Sequence, residues 1–395
     1  MKILIKNAAV ILEDGIKEQA SLVIEDDKIT NLYESVPEDK FDEVYDVEGK
    51  YVLPGLIDIH SDMIEGYIQP RSTAIMDFTM GLMEAERSLA MNGITTMFHS
   101  ISMFRDGTWD VKEIRKAPQV KKLATFIAGY QENVRLIRHR YHLRYEIDNL
   151  ACYEDVKKMV EDDLVDLISF MDHSPGQGQY KKLEIYRKHM PEEGTNISDE
   201  EFADFIQKKK KKDMVSYEDL KELAELAQSK GISVASHDDD TREKLKVNHD
   251  LGVAISEFPI TLDVAKEAVK QGFKTVLGAP NVLLGGSHSG NLSAVEAIRE
   301  GAASVLVSDY YPQALLQSVF KLFHEKELTL WEAVKLVTKN PAEAVGLEKS
   351  IGTITPGKKA DLLVVNDMGE FPVIEKVFVD GIKILDCTYR GVKGV

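Results

Sequence analysis

Alternation of apolar and polar positions divides this chain into three stretches. Over the first fifty residues, Lys2 to Leu12, Ser21 to Tyr33 and Val44 to Val52 alternate in this way, with Gly, Asp and Glu between them. This is the period-2 pattern of half-buried strands. The tail returns to it. Ala360–Val365 and Val373–Lys383 read as strands, the second holding an Asp380-Gly381 turn. The long middle alternates short apolar runs with helical periodicity. Leu56–Ile59, Ile94–Phe98, His142–Glu146, Asp166–Met171, Ser233–Ser236, Ala254–Glu257, Thr275–Gly278 and Val305–Ser308 make eight strands. Glu218–Lys230, Thr261–Gln271 and Leu292–Glu300 carry helical spacing. Strand–helix alternation of this length predicts an α/β fold, most simply a (β/α)8 TIM-like barrel. A doubly wound open sheet is the alternative, but no Gly-x-Gly-x-x-Gly turn or P-loop supports it. The two β-rich ends are expected to meet in a small β-sandwich domain, residues 1–53 with 352–395, leaving 54–351 as the barrel.

The strand ends carry the candidate chemistry. Strand one ends at His60 and Asp62, which on a strand would share a face. His99 closes strand two and Glu146 strand three. Asp172-His173-Ser174 follows strand four, and His237-Asp238-Asp239-Asp240 strand five. Glu257 ends strand six. Strand seven leads to Asn281 and the loop Gly285-Gly286-Ser287-His288-Ser289-Gly290-Asn291, and strand eight ends at Ser308-Asp309. One such ending is an ordinary hydrogen-bonding residue. The ordered series, at the face where barrel enzymes keep their chemistry, is a stronger signal. Three carboxylates and two imidazoles, with one carboxylate bridging, suit two divalent ions about 3.5–4 Å apart, which lower the pKa of a shared water.

Composition narrows the partners. The formal net charge is −17 over 395 residues, which argues against nucleic acid as a partner. A small anionic substrate is not excluded, since local cations would meet it. Cys152 and Cys387 are the two cysteines, too few for a disulfide framework, and a reducing, cytoplasmic setting is expected. No apolar run approaches the roughly 18–20 residues of a membrane span. The charged stretch Tyr180–Ser216, with Lys208–Lys212 unbroken, reads as a solvated segment or as a lid over the barrel mouth.

Taken together, Leu53-Pro54-Gly55-Leu56-Ile57-Asp58-Ile59-His60, Lys339-Asn340-Pro341-Ala342 and the Gly352–Val365 segment resemble the amidohydrolase superfamily of metal-dependent hydrolases. Its phosphonate-metabolism branch is the closer likeness. That branch is carried by His142–Glu146, Met171–Gln177, Ser236–Asp239, Glu257–Thr261, Gly278–Asn281, Gly285–Asn291 and Ser308–Pro312. Against the superfamily pattern, His60-x-Asp62 replaces His-x-His, no carboxylated lysine stands on strand four, and Glu257 replaces a histidine. Glu146 fits the strand-three glutamate that amino-sugar phosphate deacetylases use.

The resemblance implies one or two divalent ions. Zinc comes first, while the oxygen-rich donors also admit manganese or iron. The implied ligands are His60, Asp62, Glu146, His237, Glu257 and Asp309, with Asp309 also the base. The implied reaction cuts a phosphorylated sugar phosphonate, a triphosphate ester, at its α-phosphorus and releases pyrophosphate. His173 and His288 would stabilise developing charge or protonate the leaving group. Arg71, Arg144, Asp172, Ser287, Ser289 and Asn291 are expected to bind substrate. Arg105, Arg138 and Arg140 are further phosphate candidates, Arg138 and Arg140 reading equally as a solvated helix face. Amidohydrolysis of a C–N bond is the rival enzymatic reading, and a non-catalytic scaffold is the third. A homo-oligomer is compatible with the sequence. His99, His139 and His142 receive no role, and packing is the expectation for His142.

Overall fold

The computed structural model describes residues 1–104, 112–130, 135–172, 198, 202, 206, 214–287, 291–369 and 371–389. The predicted barrel is there, with all eight strands in sequence order: β6 Leu56–Ser61, β7 Ile94–Met103, β8 Arg138–Glu146, β9 Leu167–Met171, β10 Ser233–His237, β11 Ile255–Glu257, β12 Lys274–Gly278 and β13 Val305–Val307. Every neighbouring pair is parallel. β7 and β8 run longer than the apolar runs suggested.

The ring is nearly closed. β13 meets β6 through the single bridge Ser61–Asp309 rather than a full ladder. Three bonds complete the seam. The Asp309 amide donates to the His60 carbonyl at 3.0 Å, and the Asp62 amide to the Asp309 carbonyl at 3.0 Å. The buried Asp58 carboxylate accepts from the Ser308 amide at 3.2 Å. Two predicted site residues, His60 and Asp309, are therefore fixed by the closure itself.

The interior follows strand parity. Ile59, Phe98, Leu167, Ala235, Ile255, Val276, Val305 and Val307 pack as one buried cluster filling the barrel. Nearer the mouth the same parity turns polar: Ser100, His142 and Ser169 line the inside. Pro54-Gly55 leads the chain from the terminal sheet into β6. Only glycine fits there, since a Cβ on Gly55 would lie 2.2 Å from Thr95 Oγ1.

The terminal strands form one continuous sheet in the order β16-β15-β14-β5-β1-β2-β3, with β4 also pairing β1. They are β1 Lys2–Ile11, β2 Ile16–Glu25, β3 Lys28–Tyr33, β4 Glu43–Asp46, β5 Tyr51–Pro54, β14 Leu362–Asp367, β15 Pro372–Val379 and β16 Ile382–Asp386. The stretch read as Ser21–Tyr33 breaks into a hairpin at Asp26, whose φ is +54°. The sheet wraps one core in which Ile3, Ile24, Val52, Leu362 and Phe378 are buried together. Asp380-Gly381 is the predicted turn, with φ of +50° and +74°. Arg138, at the start of β8, is buried against Asp361 and Asp380, tying the barrel to this sheet. Arg140 pairs with Asp166 at 2.7 Å. Neither arginine reaches the barrel mouth, so neither serves as the phosphate partner considered from sequence.

Candidate metal centre and active site

A bulge brings His60 into the site. Asp58 pairs with Met97 and Ser61 with His99, so three steps on β6 oppose two on β7. The extra residue lets Ile59 and His60 both avoid the outer face, as a β-bulge re-aims side chains. His60 is 1% exposed. Its Nδ1 lies 2.7 Å from Glu257 Oε1. A carboxylate only accepts, so Nδ1 carries the proton and Nε2 keeps its lone pair. That Nε2 is buried and has no hydrogen-bond partner among the described residues. Burial first, then the charge of Arg144, holds the His60 pKa well below the ordinary imidazole value. A neutral histidine with an unused inward lone pair, oriented by a carboxylate on its other nitrogen, is the standard preparation of a metal ligand.

His142 joins it. Its ring stands edge-on to His60 with centroids 5.1 Å apart, and its Nε2 is 3.9 Å from Glu257 Oε2. Burial drives its pKa down to about 3. Ser169 links the pair: its hydroxyl contacts His142 Nε2 and lies 2.7 Å from Glu257 Oε2. One hydroxyl proton faces two acceptors here, an arrangement a bound cation would relieve. Ligand atoms of His60, His142 and Glu257 all lie within 4.8 Å of one another. These residues fit a divalent ion by donor type and burial. The packing role expected of His142 is thus joined by a place at the centre of the site.

The other predicted residues gather around this cluster unequally. His237 ends β10, its ring 5.5 Å from that of His60, its Nδ1 3.1 Å from Asp238 Oδ2. Phe258 packs against both rings, at 5.0 and 5.1 Å. Arg144 Nη2 lies 3.4 Å from His237 Nε2, and Arg144 Nε donates to Met171 Sδ. Glu146 is buried at the end of β8. Asp62 falls just past the end of β6, so the shared-face argument does not place it; its backbone bond to Asp309 does. Asp309 has its carboxyl pKa pushed up to about 7, by burial first and by the Asp62 carboxylate next.

Three non-glycine residues at these strand ends are left-handed: Asp238 at +53°, Phe258 at +53° and Asp309 at +58°. Such conformations cost roughly 1–3 kcal/mol each and concentrate at functional sites. Here they turn the chain immediately after His237, immediately after Glu257 and at Asp309.

Arg71 lies in an exposed turn with its carbonyl bonded to the Ala74 amide. It makes no side-chain hydrogen bond or ion pair among the described residues. Ser287 and Asn291 flank residues outside the described set, and Asn281 ties that loop down by accepting from the Ala294 amide. Asp172 directly follows β9. His173, His288, Ser289 and Arg105 lie outside the described residues, as does most of the 180–216 segment.

Sequence reasoning missed an ion cluster on the loops after β6 and β7. Arg115 Nη2 reaches Asp62 Oδ2 at 3.1 Å, and Arg115 Nε reaches Glu65 Oε1 at 2.5 Å. Lys112 Nζ adds a 2.8 Å contact to Glu65 Oε2. Burial would raise the Glu65 carboxyl, but Arg115 and Lys112 outweigh it and hold it below its usual value. No periodicity marks these residues. The one available cue was their place on the loops at the catalytic end of the barrel.

The Amidohydrolase family matches residues 51–383. The chain belongs to that family. This amidohydrolase is 32% identical over 387 residues to the α-D-ribose 1-methylphosphonate 5-triphosphate diphosphatase of Escherichia coli, covering 96% of this chain and all of the relative. It is 25% identical over 392 residues to the 5′-deoxyadenosine deaminase of Methanobrevibacter smithii, covering 92% and 84% of the two chains. Among solved structures, the N-acetylglucosamine-6-phosphate deacetylase of Pasteurella multocida superposes with a TM-score of 0.65 at 12% identity, over 98% of this chain and 100% of that one. That last likeness speaks for the barrel fold. Among the described residues no helix is long and apolar enough to cross a membrane.

Proposed function

We propose that this amidohydrolase hydrolyses a sugar 5-triphosphate bearing a phosphonate, ribose 1-methylphosphonate 5-triphosphate in the first instance, to the 5-phosphate and pyrophosphate. One observation carries the reading from the structure. Arg144 is a part-buried guanidinium inside the barrel mouth, beside His237; no carboxylate among the described residues lies within ion-pair distance of it, and its charge reaches Asp62 and Asp309 only through space. A permanently charged, unpaired fork is costly to bury unless an anion completes it. The full-length similarity to the Escherichia coli diphosphatase supports the same substrate class.

His60, His142 and Glu257 would hold a divalent ion, which would supply Lewis acidity and offset developing charge. The chain's own residues do the rest. Arg144 binds and aligns phosphate oxygens, which is most of what phosphoryl transfer asks of a protein. The Asp309 carboxyl, with a pKa near the working range, takes one proton from the attacking water. Water oxygen bonds to the α-phosphorus, the bond to the bridging oxygen breaks, and pyrophosphate leaves with that electron pair. Phe258 packs against the His60 and His237 rings and gives that wall of the site an apolar surface. His173 and His288 stay assigned to charge on the leaving group.

Deamination or amide hydrolysis is the second reading, favoured by the similarity to the 5′-deoxyadenosine deaminase. Phosphorus NMR separates the two. Enzyme reconstituted with zinc, manganese or iron(II) should convert the triphosphate to pyrophosphate and a 5-phosphate carrying solvent oxygen-18, and Asp309→Asn should abolish this. Unchanged triphosphate alongside turnover of 5′-deoxyadenosine would replace the proposal with the second reading.

A further inference from the structure

The acidic residues of the site fall into two halves that differ in what already neutralises them. Glu257 faces two histidines and a serine. Asp62 faces a cation. The Arg115 guanidinium lies 3.1 Å from Asp62 Oδ2, and the field of Glu146 reaches the same guanidinium. Arginine cannot be deprotonated in a protein, so this charge is permanent.

Arg115 is also held in place from several sides. Its Nε and Nη2 both bond to Glu65, at 2.5 and 3.0 Å. Glu65 is 1% exposed and is clamped from its far side by Lys112. The Arg115 carbonyl accepts from the Phe104 amide at 3.1 Å, and its guanidinium lies over the Phe104 ring, 5.6 Å from the centroid. Gln69 Oε1 accepts from the neighbouring Ile114 amide at 3.0 Å. The loops after β6 and β7 are thus stapled with the arginine aimed at Asp62. Glu65 and Lys112 have no other role at the site; together they make a brace.

We propose that Arg115, braced by Glu65, is the fixed positive charge of the Asp62 half of the site, so that each chain holds one divalent ion, on the His60–His142–Glu257 side. A second ion next to Asp62 would lie close to a guanidinium that cannot give up its charge and is held in place by two hydrogen bonds to Glu65. Repulsion between the two cations, together with the loss of a free carboxylate, closes that half to metal. Arg115 is a positioning residue: it sets the orientation and charge of Asp62. The inference concerns the number of ions and does not depend on which substrate is cut.

The test is metal counting on the full chain. The protein is stripped with chelator, reloaded with manganese(II), and read by elemental analysis and electron paramagnetic resonance. The wild type should hold one manganese per chain with the six-line signal of an isolated ion. Asp62→Asn should keep that ion, and His60→Gln should lose it. Arg115→Met should rise from one ion to two, with the broadened signal of a coupled pair. A wild-type chain with two coupled ions, or with none, overturns the proposal. So does loss of the ion in Asp62→Asn, a count that needs no arginine variant to fold, or an Arg115→Met protein that stays at one.

Discussion

Two buried clusters in this barrel are built from the same residue types. One lies inside the ring: His60, His142 and Glu257. The other lies between the ring and its helices: His99, His139 and Glu86. In the outer cluster His99 Nε2 lies 2.9 Å from His139 Nδ1, and His139 Nε2 3.2 Å from Glu86 Oε2. Tyr130 and the Leu136 amide then occupy the carboxylate, at 3.0 and 2.9 Å. This is a linear chain from His99 to Glu86, and it leaves one buried nitrogen, His99 Nδ1, without a partner at its far end among the described residues. The inner cluster converges, with its ligand atoms within 4.8 Å of one another and the His60 Nε2 lone pair unused. Two imidazoles and a carboxylate do not by themselves make a metal centre; each cluster keeps one unpartnered imidazole nitrogen, and what sets the inner one apart is that its donors gather around one place.

Substitutions should therefore act on different quantities in the two clusters. The largest effect belongs to the inner one. His60→Gln removes the lone pair and should cost both bound metal and turnover. Lewis-acid stabilisation worth several kcal/mol corresponds to a loss on the order of 10³ in kcat. Glu257→Gln should behave similarly, since it releases the His60 Nδ1 proton from its acceptor. A His60→Gln enzyme with full metal and activity would place the ion elsewhere. Next comes Arg144→Met, which should weaken kcat/KM on a triphosphate by roughly 10–100-fold, the worth of a charge-assisted hydrogen bond of about 1.5–3 kcal/mol. Its metal content should not change. Equal loss on a neutral amide substrate would show that Arg144 does not read phosphate.

Strand parity made much of this legible in the sequence. On β8, His142, Arg144 and Glu146 share one face and His139 takes the other, so an alternating pattern separates the inner histidine from the outer. The eight strands and the order of their polar endings could be read in the same way, because a parallel barrel repeats one local unit. Two features could not. The bulge that swings His60 inward depends on the pairing of β6 with β7, and pairing is a property of two segments that no single one displays. The Arg115–Glu65 brace joins two very short helices, Ile64–Ile68 and the 3-10 turn Glu113–Arg115, which are too short to show a period and whose partners are fixed by the folded geometry. The place of His142 in the site was hidden for a related reason: its depth along β8 reads as core, and its approach to Glu257 on β11 is a contact between distant segments.

The outer cluster should answer in stability and leave metal unchanged. Glu86→Gln turns one of the two acceptor oxygens into an NH2 donor, so that either Tyr130 or the pair of His139 and the Leu136 amide loses its acceptor, and it should destabilise the fold by roughly 1–3 kcal/mol. Chemical denaturation of the metal-free protein reads this directly, with manganese binding as the control.

The smallest effect expected is a pH slope, and its sign follows from burial. His99 and His139 both have pKa values below the ordinary imidazole value, burial being the main cause in each. Unfolded, both would titrate near 6.5. As pH falls through that value the unfolded chain gains protons that the folded chain refuses, so stability falls on acidification. The inner site mixes signs. His60 and His142 behave like the outer pair, but Asp309 has its carboxyl raised to about 7 and Asp58 to about 6. Those two acids keep protons in the folded state that the unfolded state has released, which favours folding below those values and opposes the histidines. The outer pair has no such counterweight, because Glu86 is itself held below its usual value: burial would raise it, but the His139 hydrogen bond and the Leu136 amide outweigh that. In metal-free protein, His99→Gln should therefore reduce the loss of stability between pH 6.5 and 5.5 by about 1 kcal/mol, the slope approaching one proton's worth of about 1.4 kcal/mol per pH unit below that. An unchanged slope would mean that His99 meets the solvent proton in the folded state, and the outer cluster would then be open where the geometry shows it closed.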